Sequence, residues 1–251
     1  MYRFDTPEAN PIRKGERYTL KVTRPGTDTF ELTSHTHVPL EPTILKPEIV
    51  FCPQNQFRLT PLQLHNRYDV EWRKGRPIGG VPGGPGLGFE LRTFWNYEKN
   101  GDPQAEIPWG PTSLIVEGGG CQSSGTNLCY RIPEGDLLNH FLFNMEQEDG
   151  FKYTFNSTTD CKPTDQLSRA LEFEVTAIDT FLTNYIRVNN PGFTDFNTVR
   201  IEYTNISGTE TALGVFGSTT ISRRSGGLDQ CSQWLLNMND TPQPTSANCS
   251  L

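Results

Sequence analysis

Two histidines on one strand face are the side chains best suited to chemistry. His35 and His37 are separated by one residue, and alternate residues of a strand point to the same side. This is the spacing at which β-barrels present a metal ion, and Glu41 and His140 are the further ligand candidates. A cupin-like metal enzyme is therefore one hypothesis. Because prolines interrupt the following segment, we favour ordinary surface histidines and expect no metal or other cofactor.

A cationic segment is the second candidate site. Arg73, Lys74 and Arg76 lie between a strand that ends at Trp72 and the Gly-rich stretch 79–86. That stretch lacks the Lys-Ser/Thr pair of a phosphate-binding loop, so it is predicted to be a surface loop. An exposed, restrained loop with these side chains fits a protease whose specificity pocket is acidic. The alternative is an ordinary solvated strand end.

Other catalytic patterns are weaker. The sequence has no G-x-S-x-G nucleophile elbow, which disfavours a serine hydrolase. A glycosidase needs two carboxylates, and the 29 acidic residues do not single out a pair. Trp72, Trp95 and Trp109 could stack on sugar rings in a lectin-like groove, although they could equally belong to the core. The patterns favour a binding protein over an enzyme.

Composition limits the partners. The 251 residues carry 22 Lys+Arg against 29 Asp+Glu, for a net charge of -7. Without clustered basic residues, binding to a nucleic acid backbone is disfavoured. No stretch reaches the roughly 20 apolar residues that a spanning helix needs, so we expect no membrane insertion. The expected partner is a protein, such as a serine protease, or a glycan.

Cysteines and sequons point to the secretory route. The six cysteines lack the paired C-x-x-C spacing of zinc ribbons, so disulfides are the better interpretation. The cysteines are Cys52, Cys121, Cys129, Cys161, Cys231 and Cys249. N-glycosylation sequons begin at Asn156, Asn205, Asn239 and Asn248. A secreted, extracellular glycoprotein is predicted.

Period-2 alternation dominates the chain and predicts an all-β fold, either β-trefoil-like or a β-sandwich or jelly roll. The alternating segments are 17–22, 29–33, 68–72, 89–94, 141–145, 151–155, 171–175 and 199–203. One segment differs, because apolar residues from Leu228 to Met238 recur at helical spacing and predict a short C-terminal helix. We therefore expect an all-β domain over residues 1–204 and an extension over residues 205–251, with the helix and a disulfide-tied tail.

The N-terminal motif resembles a known family. Phe4-Asp-Thr followed by Asn10-Pro-Ile-Arg-x-Gly-x-x-Tyr-x-Leu20 is similar to the N-terminal signature of Kunitz-type inhibitors of the soybean trypsin inhibitor family. The specific part covers residues 4–20. Weaker similarities follow in the family's order at Cys52-Pro-Gln, at Cys121-Gln-Ser-Ser and in the segment from Asp149 to Cys161.

This resemblance implies a β-trefoil, a Cys52–Cys121 disulfide and an inhibitory loop between those cysteines, where Arg73, Lys74 and Arg76 fall. The leading hypothesis is a secreted, disulfide-linked glycoprotein that acts by binding, most concretely a loop-type inhibitor of a serine protease. One alternative is a lectin-like or cell-surface interaction module. The other is the cupin-like enzyme that uses His35 and His37.

Overall fold

The computed structural model describes sixteen stretches of the chain. These are residues 11–24, 30–46, 49–51, 57–59, 67–75, 87–95, 98–99, 102–103, 107–109, 121–122, 125–137, 139–140, 153–154, 171–189, 206–208 and 215–226.

The regular elements of these stretches are strands and one helix. The strands are β1 Arg17–Arg24, β2 Phe30–His37, β3 Thr43–Lys46, β4 Ile49–Phe51, β5 Phe57–Leu59, β6 Tyr68–Arg73, β7 Gly88–Trp95, β8 Glu98–Lys99, β9 Asp102–Pro103, β10 Ile107–Trp109, β11 Asn127–Ile132, β12 Tyr153–Thr154, β13 Leu171–Ile178, β14 Ser207–Gly208 and β15 Thr219–Gly226. The helix α1 is Thr180–Asn189. The predicted all-β class is confirmed.

The strands form small sheets. The orders within the described residues are β1-β2-β14, β10-β7-β13-β15, β11-β6-β3, β12-β8-β9 and β4-β5. Strands β1 and β2 pair antiparallel over their full length, from Arg17 opposite His37 to Arg24 opposite Phe30. Strand β6 is the centre of its sheet and pairs antiparallel with both β11 and β3. Antiparallel pairing suits the alternation of apolar and polar residues in these strands.

The chain divides into two compact units, each built from three segments. The first unit contains Met1–Pro42, Lys74–Glu90 and Thr176–Ile221. The second contains Thr43–Arg73, Leu91–Val175 and Ser222–Leu251. Both units therefore draw on distant parts of the sequence. The boundary that the sequence suggested at residue 204 stays a prediction.

In the first unit, a buried aspartate connects the helix to strand β2. Asp179 is the residue before α1, and its Oδ1 accepts a 2.8 Å hydrogen bond from the backbone N–H of Leu182, which is an N-cap bond. Its Oδ2 accepts bonds from the hydroxyl of Thr36 and the backbone N–H of Ser218. Asp179 is only 2% exposed. These bonds satisfy a buried carboxylate that would otherwise be costly.

In the second unit, one face of β6 supplies the core. Val70 and Trp72 are fully buried, and Asp69 and Glu71 alternate with them on the opposite face. The other core side chains of this unit are Ile44, Leu91, Phe94, Trp95, Leu128, Cys129, Ile132, Leu137, Leu171, Phe173 and Val175. Trp72 and Trp95 each have 0% exposure. Neither indole is therefore available for a sugar-stacking surface, and the side chain of Trp109 lies outside the described residues.

Helix α1 is not anticipated by the alternation pattern. Its Phe181, Leu182, Tyr185 and Ile186 recur at helical spacing, directly behind the capping Asp179. The helix predicted from Leu228 to Met238 lies outside the described residues. The predicted strands at 141–145 and 199–203 also lie outside them.

Candidate functional site

Arg73 is the last residue of β6, and its side chain is exposed. Asn127 of β11 lies opposite it on one side, and Thr43 of β3 lies opposite it on the other. A protease holds an inhibitor by adding the inhibitor's backbone to its own strand edge. Because neighbouring strands flank Arg73 on both sides, its backbone has no free edge for such pairing.

Lys74 is the first residue beyond β6, and it is half-buried in the first unit. The next residue, Gly75, lies directly against Leu40. A Cβ atom on Gly75 would stand 2.4 Å from Leu40 Cβ and 2.8 Å from the Leu40 carbonyl oxygen. Only glycine allows this approach. Arg76 lies outside the described residues.

Hydrogen bonds hold the segment that contains Leu40, against which Gly75 packs. The hydroxyl of the buried Thr220 donates to the carbonyl oxygen of Leu40 at 3.3 Å. Val38, two residues before Leu40, forms two backbone hydrogen bonds. Its carbonyl oxygen accepts from the N–H of Gly15 at 2.8 Å, and its N–H donates to the backbone carbonyl oxygen of Glu16 at 2.9 Å. Gly75 therefore rests on a fixed part of the first unit.

The charge of Lys74 is not neutralised by a described carboxylate. Other lysines of the described residues do form such pairs. Lys21 pairs with Glu31 at 2.8 Å, Lys46 pairs with Glu71 at 3.2 Å, and Lys14 contacts Glu41. Among the residues described, no ion pair involves Lys74 or Arg73. Lys74 thus precedes a closely packed glycine, and no carboxylate of the described residues pairs with its ammonium group.

His35 and His37 share one face of β2, as the spacing predicts. Their ring centroids are 6.2 Å apart, and the His35 ring also meets the Phe181 ring of α1 edge-on at 5.1 Å. Burial lowers the pKa of His35, and the nearby charges of Arg17 and His37 lower it further. A cationic neighbourhood of this kind opposes a metal ion.

The other metal candidates do not join this pair. Within the described stretches, the one group of three ligand-type side chains is Asp69, Cys121 and Cys129, which contains neither histidine. Glu41 contacts Lys14, and His140 belongs to the second unit. The described residues supply no third ligand to His35 and His37.

The structure changes the expected disulfide pattern. Cys121 is bonded to Cys129, eight residues later in the chain. The Cys52–Cys121 bond implied by the family resemblance is therefore not the pairing found. Cys129 is on β11, and the Cα atoms of the two bonded cysteines are 5.6 Å apart. The remaining cysteines, Cys52, Cys161, Cys231 and Cys249, and the sequons at Asn156, Asn205, Asn239 and Asn248 lie outside the described residues.

Asp69 lies close to this disulfide but does not form a metal centre with it. Its carboxylate and the two sulfur atoms lie within 4.8 Å of one another. The sulfurs are joined to each other, whereas a metal ligand must be a thiolate. Asp69 instead accepts two hydrogen bonds from Arg131, from Nε at 2.6 Å and from Nη2 at 2.8 Å. This bond to Arg131 lowers the pKa of Asp69.

Two glutamates on β13 are the carboxylate pair that the sequence could not select. Glu172 and Glu174 lie on the same face of the strand and are almost fully buried. The guanidinium of Arg223 on β15 contacts both, Glu172 at 3.4 Å and Glu174 at 2.7 Å. Because one guanidinium contacts both carboxylates, this pair fits an ion-pair network better than a general acid and base.

The comparisons with known proteins add no relative. No family model matches the chain, and no match is found among curated proteins or among solved structures. The resemblance to the soybean trypsin inhibitor family therefore stays a prediction. In the described part of the chain, no helix has the length and apolar character needed to cross a membrane.

Proposed function

We propose that this protein acts by binding, as a loop-type inhibitor of a serine protease with an acidic specificity pocket, and that Lys74 is the anchor. The observation that carries the proposal is the close approach of Gly75 to Leu40, directly after a lysine that forms no ion pair with any carboxylate of the described stretches. An inhibitory loop works by entering the cleft in a fixed conformation, which avoids the ordering cost of a free peptide. The packing beneath Gly75 supplies that fixation.

The choice of Lys74 over Arg73 rests on backbone access. Arg73 is flanked by paired residues on both sides of the sheet, whereas β6 ends before Lys74. With Lys74 in the pocket, the scissile bond would join Lys74 to Gly75. The tight packing of Gly75 would hold the leaving side of that bond in place and so slow its hydrolysis. Arg76 follows two residues later as a secondary contact.

The broader description of the molecule belongs to the same proposal. A secreted glycoprotein would meet extracellular proteases, and the all-β frame provides rigid loop attachment. The β-trefoil implied by the resemblance remains the proposed finer fold. Neither alternative function gains comparable support, because Trp72 and Trp95 are buried and the described residues supply no third metal ligand to His35 and His37.

The test is inhibition of a trypsin-like protease by three proteins: the natural sequence, Lys74→Ala and Lys21→Ala. Lys21 is a matched control because it is also in the first unit but already pairs with Glu31. We expect Lys74→Ala to weaken inhibition by at least about 100-fold, as for a central anchor residue. Lys21→Ala should inhibit like the natural protein. Equal inhibition by Lys74→Ala and the natural protein would refute the proposed anchor.

A further inference from the structure

A patch of basic side chains lies on one face of the β1–β2 pair. Because Arg17 and His37 are opposite each other in the antiparallel register, their Cβ atoms lie about 4.5–5.5 Å apart on one face. His35 follows on the same face of β2, and its ring centroid lies 6.2 Å from that of His37. The patch is defined as Arg17, His35 and His37.

Arg17 has no acidic partner within the described stretches. It is exposed, and it forms none of the ion pairs found there. The next cation along the same face of β1, Lys21, pairs with Glu31 at 2.8 Å. Arginine presents several N–H donors in a fixed fork that suits oxyanions. The Arg17 guanidinium lies beside the two imidazoles on this face.

Contacts with α1 and with the residue before it hold strand β2 and the His35 ring in place. His35 packs edge-on against Phe181 of α1 at 5.1 Å, which limits the orientation of its ring. Behind the strand, Thr36 points to the opposite face and donates to the buried Asp179. That carboxylate is satisfied by the hydroxyl of Thr36, by Ser218 and by the Leu182 N–H. The hydrogen bonds of the Asp179 carboxylate therefore lie on the opposite face of β2 from the patch.

The other groups around the patch are neutral or already paired. On β1, Thr19 lies opposite His35, and on β14 the hydroxyl of Ser207 lies 3.3 Å from that of Thr33. On α1, Tyr185 is one turn beyond Phe181. Glu16 pairs with Arg13 at 3.7 Å. Arg17, His35 and His37 thus share one face, and none of the ion pairs between described residues joins Arg17 to a carboxylate.

We propose that Arg17, His35 and His37 form a binding site for a tetrahedral oxyanion, the sulfate or phosphate group of a ligand. Arg17 supplies a permanent charge, and the two imidazoles donate N–H groups when protonated. Binding favours the protonated imidazoles, so affinity rises as pH falls through the histidine range. The site does not depend on Lys74 or on the proposed inhibitory function.

Inorganic sulfate is the first probe, because its charge stays constant between about pH 5 and 8 and any pH dependence then belongs to the protein. Proton NMR of the histidine Cε1–H signals reports both binding and imidazole pKa values. We expect sulfate to raise the pKa of His35 and His37 and to bind about tenfold more tightly at about pH 5.5 than at about pH 7.5. Sodium chloride at equal ionic strength is the blank, and inorganic phosphate in a parallel titration shows which oxyanion is preferred.

Two variants distinguish sulfate binding at a defined site from nonspecific electrostatic attraction to the surface. Arg17→Gln should weaken sulfate binding at least about fivefold, because it removes the fork of donors. Lys21→Gln removes the same charge from the same strand but disturbs a neutralised pair, and it should change affinity less than about twofold. Equal weakening by both variants, or identical shifts in chloride, would overturn the proposal. The proposal would also be overturned if Zn²⁺ shifts the signals of both histidines while sulfate leaves them unchanged.

Discussion

The backbone of Gly75 lies against Leu40 so closely that a methyl group at the Cβ position would stand 2.8 Å from the Leu40 carbonyl oxygen. That carbonyl also accepts a hydrogen bond from the buried Thr220. Lys74, directly before Gly75, is thereby attached to a part of the first unit that has little room to move. Lys74 therefore directly precedes a residue whose position leaves no room for a side chain.

Gly75→Ala tests this attachment. The added methyl must displace Leu40 or the loop, so we expect a loss of about 1–3 kcal/mol in the free energy of unfolding, as for overpacking. Inhibition should weaken as well, because Lys74 would move. Gly125→Ala is the control: Gly125 has φ 56° and nothing within 4 Å of its Cβ position. It should lower stability through backbone strain and leave inhibition unchanged. Denaturant unfolding and inhibition assays measure both effects.

Asp179→Ala should be among the most destabilising substitutions in the first unit. It removes the helix cap at Leu182 and leaves the Ser218 N–H and the Thr36 hydroxyl without their acceptor. We expect a loss of about 3 kcal/mol in a urea unfolding experiment. Glu31→Ala, which removes the exposed ion pair with Lys21, should cost less than about 1 kcal/mol. Equal stability of these two variants would contradict the central role of Asp179.

The ion pair between Asp69 and Arg131 should give stability a pH dependence in the acid range. The hydrogen bond from Arg131 holds the folded-state pKa of Asp69 below its ordinary value. The pair therefore stabilises fully above the unfolded-state pKa of about 3.9, and this contribution is lost as pH falls through the lower folded-state pKa.

Urea titrations of the natural protein, Asp69→Asn and Arg131→Gln provide the measurement. Each variant should be less stable than the natural protein near neutral pH, and the difference should shrink at about pH 2 as Asp69 becomes protonated. A difference that stays constant across this range would show that the pairing of charges contributes nothing. Because both side chains are about one-third exposed, we expect the effect to be modest in salt.

The Cys121–Cys129 disulfide can be checked by mass. No Lys or Arg separates Cys121 from Cys129, so one tryptic peptide that ends at Arg131 carries both. We expect that peptide, without reduction, to be lighter by two hydrogen atoms than its reduced form. Replacing both cysteines with serine should lower stability by about 2.5 kcal/mol in the chain-entropy account. A peptide linked to Cys52 would restore the pairing that the family resemblance implies.

Several strands were predicted correctly because the alternation of apolar and polar side chains that marks a strand can be read from consecutive residues. The alternation at 17–22, 68–72, 89–94 and 171–175 corresponds to β1, β6, β7 and β13. The burial of β13 was not predicted, since Glu172 and Glu174 suggest a solvated face. They are buried because Arg223, distant in sequence, contacts both carboxylates. Partners of this kind leave no local signal.

The same limit applies to the candidate site. The sequence picked out Arg73, Lys74 and Arg76 as one cationic segment, but it did not separate them. The separation depends on where β6 ends and on Leu40, which lies far from Gly75 in the sequence. Helix α1, by contrast, had a readable signal in Asp179 and the helical spacing of Phe181 and Tyr185. The strand pattern immediately before it obscured that signal.

The most direct test of the proposed function is a titration of a trypsin-like protease with the intact protein, with residual activity as the readout. We expect a loss of activity that ends at one inhibitor per protease molecule, and we expect Lys74→Ala to weaken inhibition by at least about 100-fold while Lys21→Ala leaves it unchanged. Full protease activity at a large excess of the natural protein, or undiminished inhibition by Lys74→Ala, would contradict it.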